Sequence, residues 1–220
     1  MNRPLHISVY FDFICPWCLI GKRNLSQALQ LLARQQPQTP VELDWIGVQL
    51  LPDLPASGVP FAEFYLNRLG STQAVRQRQA QVQAAAARAG LDIDLQRIPR
   101  MPNSADAHRL LVHASALGSA AQLDALLERL FAAYFMRGED LGDSATLLQI
   151  AAECGYPAAQ LANSLRGDGS PFYGPGAHSS GGVPTFVINQ RLALSGAQPP
   201  EVLLGALLRA IEQAPQGSPA

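Results

Sequence analysis

Net charge is nearly absent from this sequence. Its 16 basic and 17 acidic side chains leave a formal charge of −1, which provides no electrostatic footprint for a nucleic acid. No run of five like charges occurs, so neither a charged tail nor a membrane-surface patch is expected. Cysteine is scarce: three in 220 residues are too few for a disulfide scaffold. A zinc site would need two further ligands, yet there is no second CxxC and no HxxxH, so no metal is expected. Long apolar runs are missing as well, and nothing approaches a membrane span. Near the N-terminus, His6 to Asp12 is too short for the apolar core of a secretion signal, and no small-residue cleavage site follows. The expected location is cytoplasmic, where a CxxC pair is more often catalytic than structural. The apolar content of 48% is enough for a proper core and argues against disorder.

Against that background one motif stands out, Cys15-Pro16-Trp17-Cys18. It follows a strand-like run and opens a helix-like one. Spacing of i and i+3 puts both sulfurs on one helix face, close enough to bond. The first lies at the helix N-terminus, where unpaired backbone N–H groups and the macrodipole favour a thiolate. Cys15 then attacks and Cys18, one turn in, resolves the mixed disulfide. Pro16 suits the first helical turn because its missing N–H was an orphan anyway. Trp17 is expected to be partly exposed, offering a flat apolar face beside Cys15. Asp12, three residues before Cys15, could cap or tune the helix start; an acidic group there disfavours a thiolate unless donors satisfy it.

The pattern along the chain predicts an α/β fold. Leu5–Phe13 reads as a buried strand, 19–34 as a helix stopped by Pro37 and Pro40, and Val41–Val48 as a second strand. A right-handed crossover makes these strands parallel. Pro52, Pro55, Gly58 and Pro60 mark a linker. From Phe61 to about Leu165 the chain reads as helix after helix, at 61–69, 72–89, 105–117, 121–136 and 144–154, with no strand pattern between them. Residues 53–170 are therefore read as a helical domain inserted into an α/β domain made of 1–52 and 171–220. Gly167–Gly182 holds too many glycines and prolines for a helix, and a flexible loop beside the site is expected, with Tyr173 and His178 solvated. Val183–Ile188 and Arg191–Leu194 form a hairpin through Asn189-Gln190. A final amphipathic helix covers 199–211, with a disordered tail after Ala214. Cys154, closing a helix, is read as a buried and inert small apolar residue.

Gly182-Val183-Pro184-Thr185-Phe186 is the second notable element. A proline at the head of a strand is sterically allowed. With a cis Val183–Pro184 bond, the backbone of Val183 is free to pair with an extended peptide. An X-Pro bond taken alone is usually trans; its coexistence with the CxxC motif favours cis here.

Asp12-Phe13-x-Cys15-Pro16-Trp17-Cys18-x-x-Gly21, followed by Gly182 to Ile188, resembles the DsbA-like thioredoxin-fold oxidoreductases. It is most similar to their FrnE-type branch, which largely lacks signal peptides. The insert resembles that branch too, at Asn103-Ser104-x-x-Ala107-His108-Arg109-Leu110 and from Phe135 to Asp143, as does Ser195 to Pro199. The resemblance implies a thioredoxin fold with a large inserted all-helical domain. It implies Cys15 as nucleophile, Cys18 as resolving thiol and Pro184 as the cis-proline facing them, with Val183 and Thr185 beside it on the substrate-binding loop. It places Asn103 and His108 near the cleft between the domains; a hydrogen-bonded structural role for His108 is the equal alternative.

The function expected is thiol–disulfide exchange on a disulfide- or dithiol-bearing protein or small molecule, with no cofactor beyond the redox pair and with glutathione as a candidate co-substrate. Two rivals stand beside it. The 2-hydroxychromene-2-carboxylate isomerases share the architecture and use glutathione, but they look for a serine at the position of Cys15. A non-enzymatic holdase would use Trp17 and the cis-proline edge without the thiols.

Overall fold

The computed structural model describes residues 4–176 and 182–213. Its first strand, β1 (Leu5–Phe11), alternates buried and half-buried residues along its length, the period-2 pattern of a sheet packed on one face. Helix α1 (Pro16–Gln35) has Pro16 at its first position. It starts three residues earlier than its apolar periodicity announced, because the dithiol motif forms its first turn. β2 (Val41–Gly47) returns parallel to β1, with Ile7 opposite Leu43 and Val9 opposite Trp45.

After a long excursion the chain rejoins the sheet. β5 (Thr185–Ile188) runs antiparallel to β1, and β6 (Leu192–Ser195) antiparallel to β5. The sheet order is β2-β1-β5-β6, so β1 is a central strand. The hairpin turn has positive φ at Asn189 (49°) and Gln190 (58°), but Arg191 belongs to the turn rather than to the strand: its N–H bonds to the Ile188 carbonyl, and Ile188 pairs with Leu192, so the connection is one residue longer than expected. β5 begins at Thr185 rather than at Val183. Pro184, with no N–H to give a ladder, sits just outside the strand. Helix α8 (Pro200–Glu212) packs on α1. Between these helices and the sheet lies one apolar cluster, built from Ile7, Val9, Leu25, Ala28, Leu32, Phe186, Leu203 and Leu207.

The excursion carries α2 (Phe61–Leu69), α3 (Thr72–Arg88), α4 (Ala105–Leu117), α5 (Ala120–Arg137), α6 (Ser144–Glu153) and a short α7 (Ala158–Ala162). Caps mark their starts: Ser71, Ser119 and Asp143 accept from backbone N–H groups of the first turns. Their packing is continuous with the part that carries the four-stranded sheet. A single apolar cluster runs from Phe11, Phe13 and Cys18 to Leu110, Leu127, Phe131 and Ile150.

Three expectations are corrected. The helical block does contain strand pairing: β3 (Val59–Pro60) bonds to β4 (Arg100–Met101), antiparallel. Two residues per strand carry no periodicity to read. The glycine-rich segment is non-helical as expected, yet its first part is held rather than loose. Asp106 on α4 accepts from the backbone of Gly167 at 2.7 Å and of Arg166 at 3.1 Å. Arg109, one turn on and paired to Asp106 at 2.7 Å, donates to the carbonyls of Ser170 and Pro171 at 2.6 and 2.8 Å. Cys154 is half-buried rather than buried. Tyr173 is 82% exposed, as expected of a solvated residue, while His178 and the tail from Ala214 lie outside the described residues.

Candidate active site

Cys15 is the N-cap of α1, in an extended conformation, and its carbonyl accepts from the Cys18 N–H at 3.0 Å. Both thiols are free. Cys15 stands at the positive end of the α1 macrodipole, a setting in which a sulfur anion is stabilised. Both thiols are buried, Cys15 at 8% exposed and Cys18 at 2%. Burial pushes the Cys18 thiol well above the ordinary thiol range, and its hydrogen bond with Cys15 and the Cys15 charge act in the same direction. Trp17, between them in sequence, is half-buried against the core.

Opposite the dithiol lies the loop before β5. The Val183–Pro184 bond is cis. The Cys15 Sγ lies 3.8 Å from the Val183 carbonyl and donates to it. Thr185 Oγ1 donates to the Gly182 carbonyl at 2.6 Å, and Gly196 N–H to the Pro184 carbonyl at 2.7 Å. Gly21 explains how closely the helix approaches this loop. A Cβ there would stand 3.0 Å from Pro184 Cγ and 3.1 Å from the Phe186 ring. Its role in the fit is visible only in three dimensions.

Beneath the dithiol sits a buried polar pair. Asp12 is 0% and His108 1% exposed. His108 Nε2 donates to Asp12 Oδ1 at 3.1 Å, while Asp12 also accepts from Leu50 N–H at 2.7 Å and Ile14 N–H at 3.4 Å. The carboxylate is thus satisfied, the condition set above for tolerating it near a reactive thiol. The His108 ring packs on Phe11 and Phe13 and stacks on Phe172, with centroids 5.2 Å apart. Gly47 leaves the space that the ring occupies. Asp12 follows β1 and His108 is on α4, so the pair joins the two parts of the chain.

Asn103 is a bracket. Its Oδ1 accepts from Ala105 N–H and Gln49 Nε2 at 3.0 and 2.9 Å, and its Nδ2 donates to the carbonyls of Leu54 and Gly169 at 2.6 and 3.0 Å. One amide thereby ties the linker, α4 and the glycine-rich segment together. Tyr65 went unnoticed in the sequence. It lies half-buried beside the site in the same apolar cluster, and its phenol is raised above the ordinary value, first by burial and then by the Cys15 charge, with Arg68 and Arg78 opposing. Among the described residues no group of three His, Cys, Asp or Glu is placed to hold a metal ion.

A dithiol opening a helix, facing a cis-proline at the start of a neighbouring strand, is the arrangement of a thioredoxin-fold protein. The pattern described as a DSBA-like thioredoxin domain matches residues 6–170, and the chain belongs to that family. The match stops short of the cis-proline loop, which the structure adds. Among solved structures, the probable DsbA oxidoreductase SCO1869 of Streptomyces coelicolor superposes with a TM-score of 0.81 at 24% identity, over 98% of this chain and 94% of that one. The cytosolic disulfide reductase DsbM of Pseudomonas aeruginosa, solved with GSH, gives 0.57 at 17% identity, over 94% and 99%. The uncharacterized protein YwbO of Bacillus subtilis (strain 168) is 24% identical over 161 residues, 73% of this chain and 72% of that protein. At these identities the structural likenesses establish the fold.

Proposed function

We propose that this chain is a thiol–disulfide oxidoreductase whose redox pair is Cys15–Cys18. The observation that carries this reading is the thiol at the start of α1, set against the Val183 carbonyl, with a second and more deeply buried thiol one turn away. In the reducing direction the Cys15 thiolate attacks one sulfur of a substrate disulfide. An S–S bond forms to Cys15, and the other substrate sulfur leaves as a thiolate and takes up a proton. Cys18 then loses its proton and attacks Cys15 Sγ. The second substrate thiolate departs, and two electrons have passed from the protein dithiol to the substrate. Run backwards, the Cys15–Cys18 disulfide oxidises a substrate dithiol.

The raised Cys18 thiol suits the resolving role, because it stays protonated while Cys15 attacks. Val183 lies just ahead of β5 and outside its paired residues, and its carbonyl is released when the Cys15 thiol reacts, so it can pair with an extended substrate segment. Glutathione is the candidate electron partner, since a related fold was solved with GSH bound. We assign the protein to the cytoplasm on the same likeness; among the described residues no helix is long and apolar enough to cross a membrane.

Equilibration in glutathione redox buffers, with tryptophan fluorescence as the probe, tests this reading. The expected result is a reversible two-electron transition that is lost in Cys15→Ser; its midpoint fixes the working direction. Tight glutathione binding with no transition would replace the redox reading with that of a glutathione-dependent isomerase.

A further inference from the structure

The connector between β6 and α8, Ser195-Gly196-Ala197-Gln198-Pro199, is bonded on two sides. On one side the Gly196 N–H donates to the Pro184 carbonyl at 2.7 Å. On the other the Gln198 carbonyl accepts from Asn24 Nδ2 of α1 at 2.9 Å. Between these points the connector is braced. The Gln198 N–H donates to the Gly196 carbonyl at 2.8 Å, and the Gln198 side-chain amide donates to the Ser195 carbonyl at 2.6 Å. Gly196 has a φ of 83°, a left-handed conformation that an L side chain resists.

Asn24 is an unusual residue for the interior of a helix. It is 8% exposed, asparagine is a poor helix former, and a buried amide must find a partner. One turn nearer the dithiol, Gly21 is where α1 packs against Pro184. The helix therefore meets the cis-proline loop twice, by contact at Gly21 and through the bonded connector at Asn24. The bond from Cys15 Sγ to the Val183 carbonyl closes a ring. It runs from Cys15 along α1 to Asn24, then through Gln198, Gly196, Pro184 and Val183 back to the sulfur. Apart from the thiol, Asn24 supplies the one side-chain bond in this ring. A substitution there opens the ring without touching the reacting groups.

We propose that Asn24 is a positioning residue for the redox pair, holding the Val183 carbonyl against Cys15 through the Gln198–Gly196 turn. This rests on the redox reading and deepens it, by adding a residue that sets the reactivity of the attacking sulfur. The effect has a definite sign. The carbonyl accepts from the protonated thiol and offers no donor to the thiolate, so the bond favours the resting thiol over the attacking anion. A loop released by Asn24 loses that bond, and Cys15 becomes more reactive.

Asn24→Leu keeps a branched side chain and removes the donor. Gly196→Ala strains the turn that carries the link. Each full chain is reduced and held at neutral pH. Cys15 is followed by its rate of alkylation with iodoacetamide and by the ultraviolet absorbance of its thiolate, both taken as the part lost in Cys15→Ser. Both variants should alkylate about threefold faster than wild type, the order expected when one weak hydrogen bond to the thiol is lost, with a matching gain in thiolate absorbance. The double variant should react no faster than either single one, because one link is cut twice. Asp143→Ala, which removes the cap of α6 outside the ring, should keep the wild-type rate. Wild-type reactivity in Asn24→Leu overturns the proposal, as does an equal acceleration in Asp143→Ala. Faster alkylation without added thiolate also overturns it, since Asn24 would then only shield the sulfur. The redox reading is judged separately, by the transition of the wild-type chain in glutathione buffers; its absence counts against that reading alone.

Discussion

Removing one partner of the Asp12–His108 pair should cost far more than an exposed ion pair would. Asp12→Ala deprives three donors of their acceptor: the buried Ile14 N–H and His108 Nε2–H, and the part-buried Leu50 N–H. Each unpaired buried group costs about 1–3 kcal/mol. Relief of the carboxylate's own burial offsets part of this, leaving a loss of about 4 kcal/mol. At about 2–4 °C per kcal/mol for a chain of this size, the melting temperature of the reduced protein should fall by roughly 8–16 °C. His108→Ala strands the carboxylate on two backbone donors and empties the space between Phe13 and Phe172, at a similar cost of about 4 kcal/mol. The double variant removes the donor and the acceptor together, so it should be only slightly worse than either single one, with a coupling of about 3 kcal/mol. Urea unfolding of the four proteins under reducing conditions measures the cycle. Additive losses, within about 0.5 kcal/mol, would refute the idea that the two side chains form one buried unit joining β1 to the insert.

Other perturbations have clear signs. Because the Cys18 thiol is raised in the folded protein, its contribution to stability is fully present below the ordinary thiol value and is lost as pH rises through the folded one. Reduced wild type should therefore lose stability at alkaline pH more steeply than Cys18→Ala, read by denaturation across pH 7–11. Gly21→Ala gains about 1 kcal/mol of helix propensity but forces a methyl against Pro184 and Phe186, so a net loss of about 1–2 kcal/mol and slower disulfide exchange are expected; unchanged kinetics would deny that Gly21 sets the spacing of α1 from the cis-proline loop. Asp143 caps α6, and its carboxyl is lowered chiefly by the Thr146 hydroxyl bond. Asp143→Ala should cost about 1 kcal/mol at neutral pH, and the difference from wild type should vanish as pH falls through the lowered carboxyl value.

Features that depend on neighbours in sequence were legible in advance. The helix-opening dithiol, the proline at the strand head and the alternation Leu5, Ile7, Val9 each announce themselves within a few residues. So do the helices of the insert, whose glycines and caps fall near the observed ends. What stayed hidden depends on residues far apart in the chain. Asp106 and Arg109 look like an ordinary i, i+3 pair on a helix, and nothing local says that they grip a backbone about 60 positions later. The glycines and prolines of 167–176 suggest looseness because intrinsic propensity describes the chain without its clamps. Gly21 enters the sequence reading only as part of a motif and Gly47 not at all, because their smallness matters only to the distant Pro184 and His108.

The centrality of β1 has a consequence for the making of the protein. Cys15 and the Val183 carbonyl it touches are 168 residues apart, and His6 N–H is bonded to Asn189 at the far end of the same sheet. A ribosome adding about 5–20 residues each second emits the two thiols on the order of ten seconds before the segment that covers them. During that interval the nascent chain carries a complete dithiol and an incomplete sheet, with one side of β1 unclaimed. Its sulfurs must wait, reduced, for the segment around Val183 to arrive.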